Sequence, residues 1–322
     1  MKILIYNSGG GLGDSIQLFD LILSLSKKFG EESIYYLSAH NNHFDNALKG
    51  YNIVLNNVNS GISFFGFRLW HLFTSKQKIL KKNLIDKFDL IIDLQSKLRN
   101  TIILKQFSHK NFYSSSMNFK FCNIQADYKT TKYDNKIMIS NLEKMLNLEI
   151  PFKRYNIDSI NKSYFDEAKK LLPKSNYIGF SITQGNEYRK KSWSIYKFTA
   201  LANKVTTKNK IPVFFIEKNQ EHIIEKIKNQ VPGSLFPEIN SELSCPALVT
   251  ALSSRLDQAV SIDNGVMHMM GLSGIPMIVL FGPTNSKKFK SNQKNIKILD
   301  SKEMYGVKDV SKIKLDDVLN FL

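Results

Sequence analysis

One stretch of the chain, Gln258 to Thr284, combines residues that could bind an anion with the elements to hold them. Its sequence, QAVSIDNGVMHMMGLSGIPMIVLFGPT, predicts a buried strand, a polar turn at Asp263-Asn264-Gly265, a helix and a second strand. The first N–H groups of a helix have no intrahelical partner, and the helix dipole favours negative charge there. The turn would lie at the carboxyl end of a parallel strand, so it could bind a phosphorylated ligand.

A structural explanation of the same turn is equally compatible with the local pattern. Asp263 or Asn264 could serve only as the helix N-cap, and His268 could simply pack on the helix. Residues elsewhere in the chain must decide between the two.

A second acidic turn follows the first predicted strand of the chain. Lys2 to Tyr6 is followed by a glycine loop, 9–13, and then by Asp14 and a helical pattern at 15–29. No Lys-Ser or Lys-Thr follows the glycines, and their spacing does not fit the dinucleotide fingerprint, so neither familiar phosphate loop is present. The pattern predicts a tight turn with a carboxylate at the helix entrance, where Asp14 could also be only an N-cap.

Three consecutive cations follow another predicted strand, at 177–182. Arg189, Lys190 and Lys191 belong to a loop at 185–193 that would lie at the same sheet edge as Asp263. One of these cations could neutralise charge on a departing diphosphate. The alternative is a solvated charge run. Trp193, which we expect to be buried, would anchor the loop and fix a cation in place.

Two successive series of strands and helices are predicted to position these loops, which indicates an α/β protein of two Rossmann-like domains. We expect domains at 1–150 and 151–322, with a linker near 148–158 around Pro151. The predicted strands are 2–6, 33–37, 51–55, 88–95, 111–113, 118–122, 177–182, 213–216, 259–262 and 277–281; the predicted helices are 15–29, 41–48, 135–146, 162–172, 194–204, 220–228, 245–252, 266–272 and 310–322.

Composition narrows the classes of function. The chain has 322 residues, two cysteines and a net charge of +17. Two cysteines are too few for a disulfide framework, and no apolar window is long enough to span a bilayer, so we expect a cytoplasmic protein. The charge favours an anionic partner, or it reflects only a lysine-rich surface. A segment rich in aromatic and basic residues, 61–82, could lie on a membrane surface or pack into the core.

Four motifs, in order along the chain, resemble those of glycosyltransferase family 9, the lipopolysaccharide heptosyltransferases. They are Gly13-Asp14, Asp93-Leu94-Gln95, Lys191-Ser192-Trp193-Ser194, and the turn and helix Asp263-Asn264-Gly265-Val266-Met267-His268 with Gly274-Ile275-Pro276 and Phe281-Gly282-Pro283-Thr284. The resemblance implies a GT-B fold, in which two Rossmann-like β/α/β domains face a central cleft. It implies an N-terminal acceptor-binding domain and a C-terminal domain for the nucleotide-sugar donor.

The resemblance also implies roles for individual residues. Asp14 would be the general base that takes a proton from the acceptor hydroxyl, and Lys191 would hold the donor diphosphate. An acid in the loop after the 213–216 strand would meet the ribose. The donor-binding residues would be Asp263, Asn264, Gly265, Met267, His268 and one of Glu217 and Glu221; the acceptor-side residues would be Gly11, Gly13, Gln95 and Arg99.

The activity implied by the resemblance is inverting transfer of a heptose or related sugar from a nucleotide-diphosphate donor, with ADP-heptose favoured. Neither a metal nor another cofactor is expected, since cations and a helix end can stabilise the leaving diphosphate. The acceptor would be a lipopolysaccharide core or another lipid-linked, anionic saccharide at the inner membrane surface, where we expect peripheral association and no nucleic acid.

Four departures from the family pattern leave the donor sugar open. Asn264 replaces a hydroxyl residue, Val266 and Ser194 each replace a proline, and Gly185-Asn186-Glu187 stands where small hydroxyl residues are common. A sugar-nucleotide epimerase or hydrolase of the same fold, and a non-catalytic polyanion-binding protein, therefore remain as alternatives.

Overall fold

The structure, a computed structural model, describes residues 1–7, 11–38, 42–58, 67–74, 87–95, 97–129, 134–184, 191–286 and 295–322. The chain divides into two compact units, Met1–Tyr155 (unit 1) and Asn156–Leu322 (unit 2). Within these ranges each unit contains a five-stranded sheet whose neighbouring strands all pair in parallel. No helix in the described ranges is long and apolar enough to cross a bilayer.

The sheet of unit 1 has the strand order β3-β2-β1-β4-β5. Its strands are β1 (Ile3–Tyr6), β2 (Ile34–Leu37), β3 (Asn56–Val58), β4 (Phe88–Asp93) and β5 (His109–Ser114). Its α-helices include α1 (Leu12–Ile16), α2 (Phe19–Phe29), α3 (Leu98–Lys105) and α4 (Asn135–Leu146). The order reverses between β1 and β4, and open α/β sheets bind ligands outside the carboxyl ends of the strands at such a switch point.

The sheet of unit 2 has the order β10-β9-β8-β6-β7. Its strands are β6 (Tyr177–Ser181), β7 (Ile211–Phe215), β8 (Gln258–Ile262), β9 (Met277–Phe281) and β10 (Ile296–Asp300). Its α-helices include α5 (Lys162–Leu171), α6 (Ile195–Thr207), α7 (Glu221–Gln230), α8 (Pro246–Ser253), α9 (Gly265–Leu272), α10 (Ser301–Tyr305) and α11 (Leu315–Leu319). Here the switch point lies between β6 and β8.

Buried apolar runs explain why the central strands formed where the sequence predicted them. Every residue of β1, β6 and β9 is buried, as expected for parallel strands covered on both faces. The helix expected at 135–146 is α4, which begins at the N-cap Asp134 and ends at Asn147 in the left-handed conformation. The prediction of α/β architecture is confirmed.

The single helix predicted at 15–29 is wrong, because the chain forms α1 and α2 with a break at residues 17 and 18. The carbonyl of Gln17 accepts a hydrogen bond of 2.7 Å from the side chain of Asn135. A helix carbonyl directed at a distant side chain can end the helix there, and local periodicity carries no sign of this contact.

Two elements expected between β2 and β4 also differ. The 41–48 region forms a 3-10 turn at His43–Asp45, where the side chain of Asn42 accepts from Phe44 N at 3.0 Å. The strand expected at 51–55 lies instead at 56–58, because Tyr51 is buried against the ring of Phe19, 5.1 Å away between centroids.

The strand expected at 118–122, after β5, does not form. This segment is a turn with positive φ at residues 117–119.

The terminal helix expected at 310–322 is interrupted. A 3-10 turn, Val310–Lys312, is separated from α11 by Ile313 and the N-cap Lys314. The carbonyl of Ile313 accepts from Trp193 Nε1 at 2.9 Å. This tertiary contact fixes Ile313 in an extended conformation. Strand β10 and helix α10 were not predicted from the sequence.

Candidate active site

At the switch point of unit 2, the side-chain amide of Asn264 forms hydrogen bonds both to the start of α9 and to residues at the end of β6. Its Oδ1 accepts from Met267 N at 2.9 Å and caps α9, while its Nδ2 donates to Ser181 Oγ at 2.7 Å and to Thr183 O at 2.8 Å. Between the two possible caps, the structure therefore selects Asn264. A hydroxyl at this position could donate only one proton, so the amide uses its second donor to join the ends of β8 and β6.

Asp263 and Lys191 form an ion pair beside this cap. Lys191 Nζ lies 2.5 Å from Asp263 Oδ2 and 3.2 Å from the Asp263 carbonyl oxygen, and the two side chains are only 12% and 7% exposed. Thr284 Oγ1 donates to the same Oδ2 at 2.5 Å. The carboxylate therefore holds the ammonium group at the carboxyl ends of the strands, next to the N-terminus of α9.

Contacts from elsewhere in unit 2 fix the backbone around Lys191 and Thr284. Lys191 N donates to Gln184 Oε1 at 2.8 Å, and Trp193 is fully buried, as predicted. A Cβ added to Gly282 would lie 2.5 Å from the backbone nitrogen of Val310, so only glycine allows this approach two residues before Thr284. The predicted loop residues 185–190, including Arg189 and Lys190, lie outside the described residues.

The other residues of α9 that were predicted to bind the sugar-nucleotide donor differ in how exposed they are. Gly265 is half-buried at the first helical position. Met267 is fully buried and its N–H donates to Asn264, so it supports the start of the helix. His268 is buried within the same helix.

Glu217 and Glu221, the two candidates for a ribose contact, are both exposed. Glu217 follows β7, and Glu221 is the first residue of α7. The structure adds a third carboxyl that the sequence did not indicate: Glu238 is buried in a 3-10 turn, Pro237–Asn240. Burial, and then the charge of Glu217, raise the pKa of Glu238 from its ordinary 4.5 to about 7. The carboxyls of Glu217 and Glu238 therefore lie within electrostatic range of each other.

Replacing Glu238 with glutamine is expected to change how stability depends on pH. Between about pH 4.5 and 7 the folded chain keeps a proton that the unfolded chain has lost, so wild-type stability falls as the pH rises through this window. Glutamine is neutral at every pH, so the variant should not show this fall. The free energy of unfolding of Glu238→Gln minus that of wild type should therefore be larger at pH 8 than at pH 5, by up to about 3 kcal/mol. Urea unfolding at both pH values measures the difference. Glu221→Gln, on an exposed carboxyl, is the control, and an unchanged pH dependence in Glu238→Gln would contradict the assignment.

In unit 1, Asp14 is in the first turn of α1, although it is not the N-cap. Its Oδ2 accepts a 3.0 Å hydrogen bond from the backbone N–H of the N-cap residue, the exposed Gly11. Asp14 is half-buried, and Gly13 beside it is buried. Residues 8–10 of the glycine loop lie outside the described residues.

A buried polar network joins the ends of β1, β2 and β4 beneath Asp14. Gln95 Nε2 donates to Asn7 Oδ1 at 2.7 Å, and Asn7 Nδ2 donates to the Tyr36 hydroxyl at 3.3 Å. The Ser15 hydroxyl lies 3.4 Å from the same oxygen. Burial raises the pKa of Tyr36 to about 12, the hydrogen bonds from Ser15 and Asn7 oppose the shift, and the charge of Asp14 adds to it. Asp14 is therefore within electrostatic range of a neutral phenol.

This network places Gln95 at the switch point of unit 1, where the strand order reverses between β1 and β4. Sequence reasoning selected Gln95 and missed Asn7, Ser15 and Tyr36, since a tyrosine in an apolar strand has the pattern of a core residue.

Asp93, the first residue of the D-L-Q motif, has a structural role. Its buried carboxylate accepts from the hydroxyls of Thr101 at 2.6 Å and Ser114 at 2.8 Å, and from Gln95 N at 3.0 Å. These bonds hold α3 and β5 to the end of β4. Arg99, in the first turn of α3, has a buried Nε without a hydrogen-bond partner among the described residues. An anionic group could satisfy this donor.

Groups of three or more His, Cys, Asp or Glu side chains able to hold a metal ion are absent from the part of the chain that the structure describes. The polar groups gathered at the two switch points are an ammonium–carboxylate pair in unit 2 and an amide–phenol–carboxylate set in unit 1.

Comparisons with known proteins identify the family and the fold of the chain. The model of the family described as glycosyltransferase family 9 (heptosyltransferase) matches residues 78–317. A comparison with curated proteins gave no match.

Several solved structures share the fold over nearly the whole chain. A glycosyl transferase family 9 protein from Veillonella parvula is 18% identical, covering 99% of this chain and 95% of that one, with a TM-score of 0.68. E. coli heptosyltransferase WaaC with ADP is 14% identical over 100% and 96%, with a TM-score of 0.67. E. coli ADP-heptose lps heptosyltransferase II is 14% identical over 99% and 97%, with a TM-score of 0.65. At these identities the likeness shows the fold, and the predicted GT-B class is confirmed.

Proposed function

The chain belongs to glycosyltransferase family 9, and on this premise we propose that it transfers a heptose or related sugar from ADP-heptose to a lipopolysaccharide core or another surface glycan. Family membership implies glycosyl transfer from a nucleotide sugar to a saccharide. The choice of ADP and heptose draws on the matched E. coli WaaC structures, which are described with ADP and with ADP-2-deoxy-2-fluoro heptose.

The observation that carries the proposal is the Lys191–Asp263 pair at the N-terminus of α9. A sugar nucleotide needs its diphosphate stabilised as the glycosidic bond breaks, and an ammonium group beside a helix N-terminus supplies that stabilisation. Asp263, already fixed by Lys191 and Thr284, would meet hydroxyls of the donor sugar. In this scheme Lys191 and the helix dipole act in place of a metal ion.

The nucleoside would extend from the diphosphate along the carboxyl edge of the sheet. From β8, β7 is two strands away, and neighbouring strands are about 4.8 Å apart. Glu217 and Glu221 both follow β7, so either could contact the ribose of a nucleotide bound along this edge.

On the acceptor side, we assign the carboxylate of Asp14 as the general base. The acceptor hydroxyl oxygen attacks the anomeric carbon as the bond to the diphosphate breaks, its proton passes to Asp14, and the configuration inverts. Gln95, anchored through Asn7, and Arg99, with its unsatisfied Nε, would bind an anionic acceptor together with the backbone of Gly11 and Gly13. The acceptor is lipid-linked in this proposal, so the protein would work in the cytoplasm at the inner face of the membrane.

Calorimetry with ADP-, GDP- and UDP-linked sugars, followed by a transfer assay, tests this function. We expect ADP-heptose to bind most tightly and to be consumed only when the acceptor is present. Consumption without acceptor would indicate an epimerase or hydrolase instead. Failure to bind any nucleotide sugar, together with tight binding of nucleic acid, would indicate a polyanion-binding protein.

A further inference from the structure

Two chain segments of unit 2 converge on the carboxylate of Asp263. Lys191 Nζ and Thr284 Oγ1 both donate to its Oδ2, and each is the only group that its segment supplies to that oxygen among the described residues. Trp193 comes two residues after Lys191, and Gly282 comes two residues before Thr284. Trp193 and Gly282 contact the same turn of the chain, so this turn adjoins both segments.

The turn comprises residues 310–313. Val310 and Ile313 are both buried. Trp193 Nε1 donates to the Ile313 carbonyl at 2.9 Å. On the other side, a Cβ added to Gly282 would lie 2.5 Å from Val310 N, so a side chain at this position would displace the turn. The 310–313 turn therefore packs closely against both segments.

Lys197, in the first turn of α6, fastens the 310–313 turn in place. Its Nζ donates to the carbonyl oxygens of Ser311 at 2.6 Å and Ile313 at 2.8 Å, and it lies 5.6 Å from the centroid of the Trp193 ring. The Ile313 carbonyl thus accepts from both the ammonium group and the indole. Hydrogen bonds from a charged donor are stronger than neutral ones, so loss of this ammonium group should loosen the turn and the indole together.

We propose that Lys197 is a positioning residue for the donor site. Acting through the 310–313 turn, it holds Lys191 where its ammonium group can reach both Asp263 and a bound diphosphate. Lys197 itself touches no reacting atom, and its effect passes through Trp193. The inference rests on the proposed function for the contact with the diphosphate, whereas the positioning of Lys191 can be measured without any ligand.

The ligand-free test is a double-mutant cycle between Lys191→Met and Lys197→Met, measured by urea unfolding of the full chain. Substitutions at separate sites without a shared partner add, so a Lys197 that only stabilises the fold would leave the effect of Lys191→Met unchanged. We expect Lys191→Met to change the unfolding equilibrium constant about tenfold less in the Lys197→Met background, because the ion pair is already misplaced there. In the Lys197→Arg background, which keeps a charged donor, its effect should match that in wild type.

Calorimetry with ADP-heptose tests the consequence for the donor. Lys197→Met should weaken donor binding about tenfold, since a small displacement of a binding group is costly, and Lys197→Arg should restore the affinity. Gly282→Ala displaces the 310–313 turn from its other side, so it should also weaken donor binding. It replaces Lys197→Met in both measurements if that variant does not fold.

Lys208→Met is the matched control and should bind the donor as wild type does. Lys208 is the C-cap of α6, at the opposite end of the helix from Lys197, and its Nζ also donates to a backbone carbonyl, that of Leu322 at 3.2 Å. The control therefore removes the same kind of bond from the same helix without touching the 310–313 turn.

Three outcomes would overturn the proposal. These are additive effects of the two lysine substitutions on unfolding, wild-type donor affinity in Lys197→Met, and an equal loss of donor affinity in Lys197→Met and Lys208→Met. If the wild-type chain binds no sugar nucleotide, the proposed function fails instead, and the unfolding cycle alone decides whether Lys197 positions Lys191.

Discussion

Asp14→Asn is expected to lower the rate of sugar transfer by about 10²–10⁴-fold while leaving donor affinity nearly unchanged, because a positioned general base contributes a factor of this size. Asparagine keeps an oxygen that can accept from Gly11 N, so this hydrogen bond and the fold of α1 should survive. It cannot take the proton of the acceptor hydroxyl. Initial rates with saturating donor and acceptor, with donor affinity from calorimetry, measure the two effects separately.

The matched control is Asp134→Asn, which changes the N-cap of α4. Asp134 accepts from Lys136 N at 3.1 Å and Ile137 N at 3.2 Å and has no assigned role in transfer. It should cost about 1 kcal/mol of stability or less and leave the rate unaltered. If Asp14→Asn transfers sugar at the wild-type rate with its natural acceptor, Asp14 is not the base.

Lys191→Met is expected to impair both stability and donor binding. The substitution leaves the carboxylate of Asp263 buried with Thr284 as a hydrogen-bond partner but without its counter-charge, and breaking a buried ion pair costs about 3–5 kcal/mol. It also removes the cation assigned to the diphosphate. A charge-assisted contact of about 1.5–3 kcal/mol corresponds to roughly 10- to 100-fold in affinity. Denaturant unfolding and calorimetry with the donor measure the two losses.

A double variant distinguishes the two losses. Lys191→Met with Asp263→Asn leaves no buried charge, so much of the lost stability should return while donor affinity stays low. Lys210→Met is the matched control, because the Lys210–Asp257 pair has the same 2.5 Å separation but its side chains are 35% and 41% exposed. It should cost less than about 1 kcal/mol. If Lys191→Met binds the donor with wild-type affinity, Lys191 does not contact the diphosphate.

Local patterns along the chain determined most of the central elements. The strand Met277–Phe281 and the helix Asn135–Leu146 have the predicted bounds, because a buried apolar run and a capped amphipathic run each specify one conformation. The turn between β8 and α9 was also predicted, since Asx-Gly after a strand favours a helix start. The motifs identified the family, which its model confirms over 78–317.

Elements whose ends depend on distant contacts were not predicted correctly. The break between α1 and α2 rests on the bond from Asn135 to Gln17, and the break before α11 rests on the bond from Trp193 to Ile313. Each joins residues more than 100 positions apart. Periodicity within a window of a dozen residues contains no information about such a partner.

The sequence by itself determined which polar residues end the strands, and the tertiary structure decided which of them meet. Lys191 and Asp263 are 72 positions apart, and Gln95 and Asn7 are 88 apart. They meet because the strand order brings β6 beside β8 and β4 beside β1 at the two switch points. Strand order is set by packing of the whole sheet. For the same physical reason the carboxyl of Glu238, the phenol of Tyr36 and the bonds from Lys197 to the 310–313 turn became visible only in the folded chain.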